Sequence, residues 1–283
     1  MIPLAVTPDS VSNLLLLLFH ACLATAIAAI NLSVLIPIIS SRSLRRENRF
    51  IYMMSTCISD FCTGVSWFYV GLFDVKDDYP GKNSTKFIAS NFLGLSYLSI
   101  LAAQADRYHA VVSPIRYSQR MSPAKTVLVI GCLWTYSYII LIVQNLTSTV
   151  TAKQISSIGL FVVNIFTMGI MIGLNVKLYL IAKYQLARDP ATPERESKRA
   201  SLHLIIGVAA SFILLWAPVF IFILFCNFSF SQCPQFSNEG TDPFAVLAHF
   251  NAVLTPLLYL RSCAQLRETL CGKVWKCCHP APG

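Results

Sequence analysis

Residues 203–226 read HLIIGVAASFILLWAPVFIFILFC, a stretch without a single Asp, Glu, Lys or Arg. About 20 such residues in helical conformation cross the roughly 30 Å of hydrocarbon in a bilayer, at about 1.5 Å per residue. A barrel strand is the wrong reading, because the run exceeds the roughly 9 to 11 residues that a tilted strand needs and lacks strict alternation. Lipid offers the backbone no hydrogen-bond partner, so the segment satisfies itself as a helix. Working outward, the same scan finds six further spans at 12–41, 51–73, 87–105, 126–144, 158–182 and 243–260, of which only the last is short. The whole composition agrees: 55% of the 283 residues are hydrophobic and 12% charged, where a soluble domain carries about 25% charged residues. Such a chain could not cover the surface of a soluble monomer. The same numbers exclude disorder, and 12 Gly and 14 Pro without a period exclude collagen and low-complexity classes. The expected fold is an all-α membrane protein, one domain over 1–283 built as a seven-transmembrane helix bundle, with a short amphipathic helix in a cytoplasmic tail at 261–283.

A net charge of +9 suggests nucleic acid until the basic residues are placed. Eighteen Lys and Arg fall in the first, third and fifth connections and the tail, against four in the other connections. The excess marks the cytoplasmic side, so the amino terminus is expected outside in a multi-pass plasma-membrane protein. The charge is a topology signal: the partner is the lipid bilayer, and no nucleic acid is implied. The first span is expected to be retained, since it lacks a basic n-region and is about twice as long as a signal h-region. Three Asn-x-Ser/Thr acceptors, at Asn83, Asn145 and Asn227, fall at or beside the outer connections and are expected glycosylation sites. Cys226 and Cys233 face the oxidising side, either as a disulfide across the third outer loop or as two thiols. Cys277 and Cys278, near Lys273, Trp275 and Lys276, suit palmitoylation or remain reduced.

Polar groups inside the spans carry the functional signal. A charge in hydrocarbon costs about 2.5 to 3.5 kcal/mol or more, so an intramembrane carboxylate is a functional candidate by default. Asp60 in the second span is that residue, and Asn31, Ser96 and Asn251 lie at comparable depth. Such a cluster suits a hydrated monovalent cation or a proton. Asp106-Arg107-Tyr108 closes the third span, where the adjacent charges can pair and leave Arg107 able to exchange partners. Pro218 and Pro256 interrupt the sixth and seventh spans; each removes a backbone bond and supplies a hinge, with the Trp216 indole beside the first.

These residues resemble the rhodopsin-like, class A, G-protein-coupled receptors. The resemblance rests on Asn31, Asp60, Asp106-Arg107-Tyr108 with Pro114-Ile115, Trp134, Trp216-Ala217-Pro218 and Thr255-Pro256-Leu257-Leu258-Tyr259, in order and with similar spacing. It implies that Asp60, Ser96 and Asn251 help form a sodium site, with no other cofactor, and that Trp216 is a rotamer switch under the ligand pocket. It also implies that Arg107 and Tyr259 rearrange to receive a heterotrimeric G protein, with Ile115 entering a pocket on that partner. Several positions depart from the family pattern: Thr255 replaces Asn, Leu215 replaces Cys, Thr167 stands near a missing helix-five proline, and Asn175 replaces a tyrosine that meets Arg107. Lys198 stands where many members place an acidic partner for Arg107. The cysteine pair that usually joins the third helix to the second outer loop is absent, a feature similar to the melanocortin and lysophospholipid branch. Other stretches look like bile acid and fatty-amide receptors.

The resemblance leaves the ligand open but narrows it. Ala89, Ser90 and Asn91 stand where aminergic members need a carboxylate, and His249 where retinal needs a lysine. The acidic cluster of melanocortin receptors has no match, since Val70 and Lys86 lie near those places. The outer halves are instead aromatic, and a pocket around Ala89, Phe92, Trp216, Phe220 and Phe250 would suit an apolar or amphipathic extracellular small molecule such as a lipid. A transporter or channel using Asp60 is the alternative, but it should show repeated halves and further buried charges. No metal-ligand spacing or nucleophile motif supports an enzyme.

Overall fold

The computed structural model describes residues 8–72, 86–147, 151, 160–185, 192–228 and 242–275. The chain starts with α1 (Val11–Ser40), which Ser10 caps by accepting from the Asn13 N–H at 3.2 Å. A 3₁₀ turn at Leu44–Arg46 leads to α2 (Asn48–Leu72), followed by α3 (Lys86–Val112) and the short α4 (Pro114–Arg120). Next come α5 (Pro123–Leu146), α6 (Leu160–Leu180) with a π-helical extension at Ile181–Gln185, and α7 (Pro193–Phe228). The described chain ends with α8 (Pro243–Ser262) and α9 (Ala264–Thr269), which passes into a second π-helical turn at Leu270–Trp275. Proline stands in the first turn of α4, α5 and α8, where its missing N–H has no partner to lose.

Where its residues are described, each of the seven spans read from the sequence lies on one of α1, α2, α3, α5, α6, α7 and α8. Two of these helices run well past their apolar stretches. The third, expected to end near Ala105, continues to Val112, and the sixth, expected from His203, starts at Pro193. Hydropathy marks where lipid ends, whereas the i to i−4 ladder continues into water as long as no breaker interrupts it. Among the described residues, five helices are by length and composition alone apolar enough to cross a membrane: α1, α5, α6 with its extension, α7 and α8. Helices α2 and α3 are as long but carry Ser55, Thr56, Ser59, Asp60 and Thr63 and Ser96, Ser99 and Gln104, all buried. Their polarity faces the bundle, not the lipid.

Helix α3 runs through the centre against α2, α5, α6 and α7, while α1 packs on α2 and α8 closes the ring against α1 and α7. The main core gathers Phe50, Ile100, Met171, Phe212 and Tyr259 from α2, α3, α6, α7 and α8. Leu128, Ile139 and Ile142 of α5 and Phe166 and Ile172 of α6 point outward, as lipid-facing residues should. Lipid is as apolar as leucine, so close packing and polar contacts must hold the helices together. At Gly64 the packing leaves no room for a side chain, since a Cβ there would stand 2.8 Å from Ile27 Cγ2 and 3.0 Å from the Ala28 backbone nitrogen. Polar contacts pin the rest. The Trp134 indole N–H donates to Ser55 Oγ at 3.0 Å, Ser55 shares a 3.0 Å bond with Ser99, and Asn31 Nδ2 donates to the Ala252 carbonyl at 2.8 Å.

Candidate functional site

The polar side chains collect in three layers along the bundle. The first lies at the Arg-rich end, where α3 leaves the core. Arg107 Nη2 stands 2.7 Å from Asp106 Oδ2, with Nε at 3.2 Å. The Asp106 side chain is 2% exposed and that of Arg107 21%, so the carboxylate is the buried partner and the guanidinium the one that can leave. Ser113 and Pro114 turn the chain into α4, which brings Tyr117 over the pair. Its hydroxyl donates to Asp106 Oδ1 at 2.9 Å and accepts from Asn48 Nδ2 at 2.8 Å and Arg107 Nη2 at 3.3 Å. One O–H donor and two lone pairs are then fully used. Burial pushes the Tyr117 phenol above its ordinary value, so it stays a neutral donor beside the carboxylate.

Around this network the other sequence-derived residues take separate places. Tyr108 turns to the α6 side, with Lys177 Nζ 5.7 Å above its ring. Ile115 is 74% exposed at the start of α4, open to a partner. Tyr259 is buried and lines, with Ala103, Arg107, Leu204 and Ile205, a cleft that opens beside the Arg107 side chain. Lys198 is exposed, and among the described residues the acidic partner of Arg107 is Asp106. Asn175 meets Gln104, not Arg107.

The second layer lies mid-bundle. Asp60, Ser96, Asn31 and Asn251 are all buried. Ser59 Oγ donates to the Phe92 carbonyl at 2.5 Å, one turn from Ser96, and Asn31 bonds the Ala252 carbonyl beside Asn251. The Ser96 hydroxyl neighbours the Asp60 carboxyl. Thr255 donates to Asn251 Oδ1 at 3.4 Å. That leaves both Asp60 oxygens, Asn31 Oδ1, Ser96 Oγ and Asn251 Nδ2 without a protein partner. Buried polar groups are normally satisfied, so this oxygen-rich set calls for water or a hard cation.

The third layer lies toward the other end. Tyr97 Oη donates to Thr167 Oγ1 at 2.6 Å, and its ring stacks on Phe212, which stacks on Trp216. Phe220 continues the ladder with its ring centroid 5.7 Å from that of Trp216. Two members of the expected pocket point elsewhere. Phe92 turns toward Trp134 on α5, and Phe250 is 41% exposed beside Phe19 on the outside of α1. The reason is helical phase: about 100° per residue puts His249, and therefore not Phe250, on the inward face. Sequence reading missed the resulting ring cluster, in which buried His249 lies 3.8 Å from Trp67 and Trp67 lies 5.4 Å from buried His20.

The order of these layers on seven helices decides the relationship. Residues 30–259 match the family described as 7 transmembrane receptor (rhodopsin family). The chain belongs to that family. Similar proteins include melanocortin receptor 5 of Mus musculus, 26% identical over 197 residues that cover 65% of this chain and 57% of that one. Melanocortin receptor 4 of Danio rerio is 28% identical over 202 residues, 64% of this chain and 56% of its own. Adenosine receptor A2a of Equus caballus is 25% identical over 215 residues, 62% and 50% respectively. The chain thus spans little more than half the length of the curated relatives it matches.

Among the sequence-derived sites, Asn145 lies in the last turn of α5 with its amide donating to the Leu141 carbonyl at 2.8 Å. Pro218 and Pro256 lie inside α7 and α8. Asn83, Cys233, Cys277 and Cys278 lie outside the described residues, as do the side chains of Ala89, Cys226 and Asn227.

Proposed function

We propose that this rhodopsin-family chain is a plasma-membrane signalling receptor, with its amino terminus outside, that responds to an extracellular ligand by activating a heterotrimeric G protein. The observation that carries the reading is the network of Asp106, Arg107, Tyr117 and Asn48 beside an open cleft. A partly exposed guanidinium held by a buried carboxylate and a phenol, at the edge of a small cleft, suits a two-state element better than a structural salt bridge. In this reading the Arg-rich end faces the cytoplasm, and opening α7 at Pro218 admits the partner. From that hinge the ring ladder runs inward through Phe212 to Tyr97 beside Ser96, and outward from Trp216 to Phe220, where the aromatic lining favours an apolar or amphipathic ligand.

The test is a panel of chimeric G proteins in cells expressing the chain, read with and without a library of lipids and bile acids. A signal above mock-transfected cells supports the reading; silence across the panel at confirmed surface density, with added ligand, removes it. An amino-terminal tag should be reachable by antibody on intact cells. A tag accessible only after permeabilisation would invert the topology.

The unsatisfied oxygens of Asp60, Ser96 and Asn31 fit a sodium ion, which Asp60 and Ser96 would hold with Asn251 turning its Oδ1 to it, and whose charge would offset the buried carboxylate. Binding only the closed form would stabilise it by mass action. The purified protein should therefore melt about 2 °C or more higher in sodium chloride than in potassium chloride. Asp60→Asn should erase that difference. A sodium increment that survives the substitution rules the site out.

A further inference from the structure

Two arginines at the Arg-rich end are tied into the fold. Arg49 meets Glu47 Oε2 at 2.7 Å and Gln265 Oε1 at 2.8 Å, and Arg267 donates to the Leu260 and Arg261 carbonyls at the end of α8. The turn between α1 and α2 carries others that are not. Arg42, Arg45 and Arg46 are exposed, and none of them forms an ion pair or a side-chain hydrogen bond with another described residue. Glu47, the carboxylate nearest to them in sequence, is already committed to Arg49. The backbone beneath them is fixed: Ser41 and Leu44 are buried, and the N–H groups of Arg45, Arg46 and Glu47 donate to the Ser41, Ser43 and Leu44 carbonyls at 3.1 to 3.2 Å. In so tight a turn, residues three apart nearly eclipse, so Arg42 and Arg45 leave on one side with Arg46 next to them. Ile39, three residues before Arg42, is 53% exposed on α1, which puts the turn where the chain leaves the hydrocarbon. Like charges held this close repel one another until an anion joins them.

We infer that the turn carrying Arg42, Arg45 and Arg46 is a binding site for the polyphosphorylated headgroup of a phosphoinositide in the cytoplasmic leaflet. The chemistry selects that occupant. Each guanidinium presents a planar fork that matches two oxygens of one phosphate, whereas an ammonium is a point charge. A phosphomonoester carries about −1.5 to −2 charges at neutral pH, and several on one inositol ring give each fork its own acceptor. Phosphatidylserine brings a single phosphate with an ammonium attached. Since the backbone of the turn is already ordered, binding has little of it left to fix. Basic residues immediately outside a span meet anionic lipid on the cytoplasmic side. The leaflet rests on the proposed orientation of the chain, while the match of forks to phosphates does not.

The test uses the full chain in phosphatidylcholine nanodiscs, which expose both ends of the bundle. A fluorescent phosphatidylinositol 4,5-bisphosphate is titrated in and competed with unlabelled bisphosphate or with phosphatidylserine at matched charge. Binding should saturate and yield to the first competitor, not to the second. Changing Arg42, Arg45 and Arg46 together to Gln should weaken it roughly tenfold or more. Arg267→Gln, which removes a guanidinium already engaged by carbonyls, should leave it near the parental value. Loss of these charges can also disturb insertion, so the same positions are changed to Lys as well. Charge and topology then stay, the forks go, and affinity should fall several-fold. Bisphosphate bound no better than phosphatidylserine at equal charge, or a Lys variant that binds like the parent, overturns the proposal: the arginines then only set topology. An amino-terminal tag reached only after permeabilisation would sink the proposed orientation and the leaflet with it. Failed binding with the tag outside sinks this proposal alone.

Discussion

Arg107→Ala abolishes G-protein signalling, basal and ligand-driven, with the chain still at the cell surface. Among the described residues, Arg107 is the cation that reaches both the buried Asp106 carboxylate and the edge of the open cleft. Its planar fork can leave one set of acceptors for another without losing its charge. Alanine removes donors that a partner helix would receive. Removing one member of a buried ion pair costs about 3 to 5 kcal/mol in the limit of full burial. The cost is smaller here, because Arg107 is partly exposed and Tyr117 still donates to Asp106. A control separates charge from geometry: Arg107→Lys keeps a cation beside Asp106 but loses the fork, and should signal at least tenfold less than the parent at equal density. Parental signalling from both variants would show that Arg107 is structural.

The bundle was legible because seven apolar runs of membrane-spanning length leave few alternatives. The ends of α3 and α7 were not, since helix hydrogen bonding continues where hydropathy stops. Depth along a span follows from position, which puts Asp60, Ser96 and Asn251 at a comparable level. Facing does not. Phe250 and His249 are neighbours in sequence, and only the helical phase set by packing against α1 and α2 turns one outward and the other in. Tyr117 carries no sequence signal at all. It is one aromatic among polar residues of a connection, and it acquires its role because Pro114 starts a helix that folds back onto Asp106. Asn175 shows the opposite limit: a family pattern directs attention to its relation with Arg107, whereas its actual contact is with Gln104 one turn away.

Tyr117→Phe should raise basal signalling several-fold. The phenol touches both members of the Asp106–Arg107 pair and, through Asn48, the start of α2. Phenylalanine keeps the ring, which lies 5.8 Å from that of His109, and removes only the hydroxyl. Asp106 then loses its neutral donor, and Asn48 loses its acceptor. A hydrogen bond to a charged group contributes about 1.5 to 3 kcal/mol, and about 1.4 kcal/mol is tenfold in a two-state ratio. Part of the loss falls on both states, so the expected rise is nearer threefold to tenfold than the full value. Burial keeps the phenol neutral, so it acts as a donor and not as a second anion beside Asp106. Asp106→Asn should raise the signal further, because it removes the charge that holds Arg107. The double variant should show less than the product of the two, as both act on one network. Basal signalling is read by a G-protein sensor at matched surface density. If Tyr117→Phe lowers it or leaves it unchanged while Asp106→Asn raises it, α4 is a passive connection, and Asp106 alone holds the resting state.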